Sequence, residues 1–522
     1  MMVQVPRRKV LLGAGLALLP IYSLRADASP LDVFNIRDFG AKADGTTLDT
    51  AAIQRAINAA AATGGGTVYL PAGRYLSFSI RLKSRITLLF ASGAVLIAAD
   101  PSKHGGYYDL PEPNPWDAYE DFGHSHWHNS LIWGEGLEDV AIIGPGLIDG
   151  QGLTRFSPDA PWSVGVGRGL PSTPTRKAQI AKNEADIKSM NGLGNKAIAL
   201  KNSRNVTMRD FSILRGGHFG ILVTGVDNLT MDNLKIDTNR DGIDLDVVRN
   251  VHLSNLSVNS PTDDAIVLKS SLALGVVRPT ENVTITNCSV SGYDVGSMLD
   301  GTYRKGQLKN IEPHLTSGRI KLGTESNGGY RNIAISNCVF DCCNGLALES
   351  IDGGVLEDVT VSNIVMRNTT AAPIFIRLGD RRRAPAGTPI AALRRVTISD
   401  IDAYCLDKRY CASITGLPGA SVEDVTLSGI RLIYPGGGTA ADAARKLPEA
   451  AGVYPDPDMF GVMPAWGFYM RHLRGVILRD VELSTLSADA RPPVVTDDVT
   501  SLKANGLIAA SAPGIPLQPV QL

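Results

Sequence analysis

One short motif recurs ten times along the chain: a polar residue, then Val, Leu or Ile, then alternating polar and apolar residues. It reads EDVAIIG at Val140, RNVTMRD at Val206, DNLTMDN at Leu229, RNVHLSN at Val251 and ENVTITN at Val283. It returns as RNIAISN at Ile333, EDVTVSN at Val359, RRVTISD at Val396, EDVTLSG at Val425 and RGVILRD at Val476. The spacings from Val206 onward are 23, 22, 32, 50, 26, 37, 29 and 51 residues. The short units cannot hold a crossover helix plus a strand. A repeat of this length built from strands signals a solenoid, and stacking each unit on the last gives an all-β parallel β-helix. The longest spacings read as two coils, or as one coil with a loop. Asn recurs just before the apolar residue, where side-chain amides can stack between coils. Several of these sites read as glycosylation acceptors, Asn205-Val206-Thr207 among them, but the repeat explains them better.

The ends differ from the middle. FNIRDFGA reads as a strand, and residues 47–61 have helical spacing before Gly64-Gly65-Gly66. TVYLPAGRY and ITLLFASGAVLIA follow as strands. A helix there caps the open end of the solenoid. Residues 31–100 are therefore expected to form the cap and first coils, and residues 130–510 the main solenoid, all within one domain over 29–522. Segments 101–130 and 155–195 are long excursions of the kind that wall a binding cleft.

Residues 1–28 read as an export signal: Arg7-Arg8-Lys9, an apolar run from Val10 to Pro20, then Ala26-Asp27-Ala28. The paired arginines resemble a twin-arginine signal, although Pro6 stands where Ser or Thr is usual; a general secretory signal is the plain alternative. Cleavage after Ala28 would leave the mature chain four charges negative. A periplasmic or extracellular protein is expected. No stretch is long and apolar enough to span a bilayer, so no membrane partner is expected. With 51 basic and 52 acidic residues and no long basic block, a nucleic-acid partner is not expected either. A monomer is the simplest state. Six cysteines remain, Cys288, Cys338, Cys342, Cys343, Cys405 and Cys411, without metal-like spacing. Cys405 and Cys411 flank a short loop that a disulfide would close; Cys288 and Cys338 end apolar strands and suit the core.

The repeat also serves as a ruler. His218, Asp241 and Asp263 each lie 12 residues after a motif anchor, Val206, Leu229 and Val251. In register, they would stack on one face, about 4.8 Å apart from coil to coil. Asp264 adjoins Asp263, and the turn at Ser260-Pro261-Thr262 would let both reach one cleft. Asp favours turns, so an isolated Asp-Gly such as Asp241-Gly242 reads as solvated turn; three acids in register suggest a site. Crowded carboxylates resist ionising together, which separates an acid from a base. The same face carries Lys269, Asp294, Arg319, Lys321, Glu325, Glu349 and Arg377 by similar counting. Carboxylates that perform chemistry beside cations that hold a carboxylate suit a charged sugar.

These residues resemble glycoside hydrolase family 28, the polygalacturonases and related pectin-degrading enzymes. The resemblance runs from FNIRDFGAKADGTTLDTAAIQRAI through GPGLIDGQG to the C-terminal coils. Its specific part is NRDGIDLD at 239–246 followed by TDDAIVLKS at 262–270. The family pattern is Asn-Thr-Asp, then Asp-Asp one coil later; Asn239, Asp241, Asp263 and Asp264 match, and Arg240 replaces Thr. The resemblance implies a right-handed β-helix and hydrolysis with inversion. It makes Asp263 the general acid and Asp241 and Asp264 the residues that activate water, without a metal or other cofactor. Inversion implies carboxyls about 6.5–9.5 Å apart. Two family elements are missing. Ser317-Gly318-Arg319 aligns with Gly-His-Gly, and Ala347-Leu348-Glu349 with the uronate-gripping Arg-Ile-Lys. His218 or His314 is the candidate substitute for the histidine, and Arg319, Lys321 or Arg377 for the lost charge. The departures favour an exo-acting galacturonidase, or action on rhamnogalacturonan fragments, with loops at 101–130, 155–195 and 297–318 blocking one end.

Three other signals carry less weight. His124, His126 and His128 alternate in FGHSHWHNS, which permits a metal site but offers no fourth ligand; their Trp neighbours equally suit sugar contacts. The aromatic segment 454–472 suits a subsite wall or a packed closing segment. Arg381-Arg382-Arg383 reads as a solvated basic run. Two other functions stay open: a polyuronate lyase on the same solenoid, using Lys or Arg as base with Ca²⁺, and a non-catalytic carbohydrate-binding solenoid.

Overall fold

A computed structural model describes residues 33–120, 123–154, 185, 187–306 and 316–521. The chain winds into a parallel β-helix in which each strand pairs with its counterpart one coil away. The motif anchors form one continuous ladder. Val140, Val206, Leu229, Val251 and Val283 are successive direct partners. Ile333, Val359, Val396, Val425 and Val476 continue the row. The 50- and 51-residue spacings are thus single coils with long excursions, not pairs of coils.

The amide ladder has a backbone cause. Asn205, Asn228, Asn250, Asn282 and Asn332 sit at φ of 55–56°, in the left-handed region that Asn tolerates better than most residues. Each later Nδ2 donates to the Oδ1 one coil earlier, at 3.1, 3.2, 2.9 and 3.0 Å. One residue type therefore satisfies both the turn and the stacking.

Helix Thr50–Ala62 closes the N-terminal end, burying Ala52, Ile53, Ala56, Ile57 and Ala60 along one stripe. FNIRDFGA is strand only over its first two residues, the end of strand Val33–Asn35; a 3-10 turn, Ile36–Phe39, follows, entered through the Asn35 side chain, which accepts from the Arg37 amide. All six cysteines are buried thiols, so Cys405 and Cys411 are not bridged. The expected export signal lies outside the described residues. No described helix is long and apolar enough to cross a membrane.

The ladder that matters for chemistry contains Phe219–Thr224, Asp241–Asp246, Ile266–Ser270, Ile320–Ser326, Leu346–Ser350 and Ile374–Leu378. Its inward residues, Ile243, Leu245, Ile266, Leu268, Ile320 and Leu322, fill the core. Its outward residues are also buried, because two excursions lie over them. Trp127 pins the first by donating from Nε1 to Thr224 Oγ1 at 3.0 Å. The second is held by Arg377, which donates to the Glu449 carbonyl at 2.7 Å, and by Arg471, which donates to the Pro448 carbonyl at 2.7 Å.

Candidate active site

Two neighbouring turns build the site, one entering strand Asp241–Asp246 and the other entering Ile266–Ser270. They are buttoned together: Thr262 Oγ1 donates to the Asn239 carbonyl and Ser260 Oγ to the Arg240 carbonyl, both at 2.6 Å. Asn239 thus serves the turn through its backbone, and its Oδ1 also faces Thr262 Oγ1 at 3.3 Å.

The ruler slips by one residue here. Asp241 pairs with Phe219, not His218. Ile243 pairs with Ile266, which brings Asp264, not Asp263, level with Asp241. The cause is turn length. The coil offset is 22 residues at Asp237 and Asn259 but 23 at Ile243 and Ile266, so the second turn holds one extra residue.

Asp241, Asp263 and Asp264 nonetheless converge, each offering an oxygen within 4.8 Å of the others. That is closer than about 6.5–9.5 Å for an inverting pair. Adjacency explains it: Asp241 and Asp264 are level on paired strands, and Asp263 precedes Asp264 in the chain. The Asp264 amide lies 3.2 Å from Asp241 Oδ1 and 3.0 Å from Asp263 Oδ1.

Each acid has a different electrostatic setting. Burial, reinforced by Asp244 and Asp263, holds the Asp241 carboxyl well above the usual range. Asp263 Oδ2 accepts from Arg240, at 2.9 Å from Nε and 2.7 Å from Nη2. Asp264 accepts from Arg319 Nε at 2.8 Å and lies 3.3 Å from Lys321 Nζ. Arg319 also meets Asp456 at 3.3 Å, and Lys321 meets Glu349 at 3.6 Å. Burial pushes the Glu349 carboxyl up to about 7.

The remaining candidates fall into two groups. Lys269 and Glu325 join each other at 2.9 Å, and Lys269 lies 3.9 Å from Asp244, beside the trio. Burial opposes the Glu325 charge, but Lys269 and Arg381 overcome it and hold its carboxyl well below the usual range. Arg381, expected as solvated surface, is buried between Glu325 and Asp352. His218 packs against Phe219, with ring centroids 4.3 Å apart. Asp294 instead holds its own loop, accepting from the Gly306 amide at 3.2 Å. Arg377 is level with Glu349 but is committed to backbone carbonyls. His314 lies outside the described residues.

Sequence reasoning did not assign Asp244, Asp456 or Arg240. Of the three alternating histidines, only His124 meets the acidic row, 3.4 Å from Asp244 Oδ2. His126 Nδ1 lies 2.6 Å from the Glu112 carbonyl, and His128 stacks on Trp133 at 3.9 Å. The aromatic segment contributes Tyr454, whose hydroxyl lies 3.0 Å from Thr324 Oγ1 and 3.3 Å from Lys321 Nζ. Among the described residues, two sets have atoms close enough to share a cation: His124, Asp241 and Asp244, and the aspartate trio itself. Protein cations already face both, Lys269 at the first and Arg240 and Arg319 at the second.

Residues 176–291 match the family model described as right handed beta helix region. Residues 33–108 match one described as rhamnogalacturonase A/epimerase, pectate lyase-like. An exo-poly-alpha-D-galacturonosidase of Dickeya chrysanthemi is 25% identical over 70% of this chain and 62% of its own length. An endo-polygalacturonase of Pectobacterium carotovorum subsp. carotovorum is 24% identical over 64% of this chain and 73% of its own. The chain is a homologue of the glycoside hydrolase family 28 polygalacturonases. The family 28 exopolygalacturonase of Yersinia enterocolitica shares its fold, a right-handed parallel β-helix, with a TM-score of 0.62. That likeness covers 91% of this chain and 78% of the other at 21% identity. The chain spans less than two thirds of the Dickeya relative's length.

Proposed function

We propose that the protein is a glycoside hydrolase that cleaves galacturonate-containing pectic chains from a chain end, with inversion once a bound sugar and its water part Asp263 from Asp241 and Asp264 to about 6.5–9.5 Å. One observation carries the reading: three carboxylates converge in different settings, with Arg240 on Asp263, Arg319 on Asp264, and burial beside other acids raising Asp241. Asp263 delivers the proton to the leaving oxygen. Asp241 and Asp264 hold and activate the water, with Asp264 kept anionic by Arg319 and Lys321. Asn239 sets the turn that aims Asp241.

End-on action is supported by the excursions over the outward face. Trp127 and His124 tie one excursion to Thr224 and Asp244, and Tyr454 and Asp456 tie the other to Thr324 and Arg319. A catalytic face overlain by two excursions admits a chain end more readily than a chain middle. The Dickeya relative's name points the same way. Residues 29–522 then form one catalytic unit, exported and monomeric. A lyase is the weaker reading, because Arg319 and Lys321 are engaged by carboxylates instead of standing as free bases.

The test is product analysis on polygalacturonate and on rhamnogalacturonan oligosaccharides, with chelator. Saturated monouronate released from one of them supports the proposal and identifies the linkage. A ladder of oligomers would overturn end-on action. A calcium-dependent product absorbing in the ultraviolet would overturn hydrolysis.

A further inference from the structure

Among the described residues, Arg240, Arg319 and Lys321 meet the aspartate trio, and they differ in what surrounds them. Arg319 and Lys321 have side chains only 1% exposed, each wedged among carboxylates: Asp264, Asp456 and Glu349 for Arg319, Asp264 and Glu349 for Lys321. The Arg240 side chain is 16% exposed and lies on Asp263, through both Nε and Nη2 on one oxygen. Its backbone is fixed by the Ser260 hydroxyl, so the guanidinium can change partner without moving the turn.

That contact conflicts with the work assigned to Asp263. A proton donor must hold a proton, and a guanidinium 2.7 Å away favours the anion. A substrate carboxylate resolves the conflict, because it offers Arg240 a planar, two-oxygen partner in place of a single oxygen. We propose that Arg240 is the specificity-determining residue of the site: it grips the uronate carboxylate and, on leaving Asp263, frees Asp263 to take the proton.

The proton has a source within the site. Burial and the neighbouring acids hold the Asp241 carboxyl well above the usual carboxylate range, so it resists ionising. Asp241 Oδ1 and Asp263 Oδ1 both lie within hydrogen-bond reach of the Asp264 amide. When Arg240 leaves, the Asp241 O–H bond breaks and an O–H bond forms on Asp263. Asp241 becomes the anionic base, and the substrate carboxylate takes over the charge of Arg240. A neutral sugar, or a uronate methyl ester, cannot trigger the exchange. The inference rests on the hydrolase reading above.

The experiment compares Arg240→Thr and Arg240→Lys with wild type on a galacturonate oligosaccharide and on its methyl ester, recording kcat, KM and pH profile. Wild type is expected to favour the free acid by about 100-fold in kcat/KM. Arg240→Thr is expected to lose about that factor on the acid, mainly through a raised KM, and to gain activity on the ester, because the guanidinium that held Asp263 as the anion is gone. Its alkaline limb in kcat/KM moves to higher pH, because Asp263 loses the Arg240 guanidinium. Arg240→Lys keeps the charge and retains a preference for the acid, which decides the matter if the threonine variant does not fold. Equal loss on both substrates in the folded variants, with an unmoved alkaline limb, would overturn the proposal and leave Arg240 a structural residue. Inactivity of wild type on both substrates would instead overturn the hydrolase reading beneath it.

Discussion

Asp241 and Asp263 place their Oδ1 atoms around one backbone donor, the Asp264 amide, at 3.2 and 3.0 Å. The two carboxylates come from successive coils, so the β-helix itself brings them together. Held this close, each carboxylate opposes ionisation of the other.

Asp241→Asn and Asp263→Asn should each lower kcat by about 10³-fold or more, and the double variant should lose little beyond either single one. Steady-state kinetics on the cleaved substrate test this. The melting temperature of Asp241→Asn should not fall, because an amide removes a buried carboxyl that resists ionisation.

Glu349 should make stability depend on pH. Its folded pKa is raised to about 7, so the native state binds more protons than the unfolded chain between the ordinary carboxylate range and pH 7. Stability from this group is therefore lost as pH rises through that window. Glu349→Gln should flatten the fall. Urea midpoints at pH 5 and pH 8 test it: a variant that falls as steeply as wild type would refute the assignment.

Trp127→Ala should cost about 3–5 kcal/mol, since it empties a fully buried indole site and removes the hydrogen bond to Thr224. It also unpins the excursion that covers the groove. Denaturant titration should show the loss, and chromatography should show oligomeric products joining the monomer.

Asn250→Ala should cost about 1–2 kcal/mol, because Ala fits poorly at φ 56° and breaks the amide ladder on both sides. Asn250→Gly should cost less than Ala. Neither should alter kcat, because this ladder lies on another face from the trio.

The sequence made the coil legible because one ladder repeats a strict polar and apolar alternation, and every anchor from Val140 to Val476 proved to be a direct partner of the next. The site was legible only to within a residue. Its acids lie in turns, and turns gain or lose a residue without disturbing the strands, so counting from Leu229 and Val251 paired Asp241 with Asp263 instead of Asp264. Arg377 looked equivalent to its neighbours on the ladder, yet the excursion at 449–450 occupies it. His124 and Asp456 were beyond reach, because each meets the trio's neighbourhood from more than a hundred residues away in the chain.

The most direct measurement is proton NMR of the first product formed from a galacturonate oligosaccharide in chelator, with Asp263→Asn as control. The account predicts a saturated reducing end that appears first in the anomeric form opposite to the bond cleaved, and no product from the variant. A vinyl proton from an unsaturated uronate, or full turnover by Asp263→Asn, would contradict it.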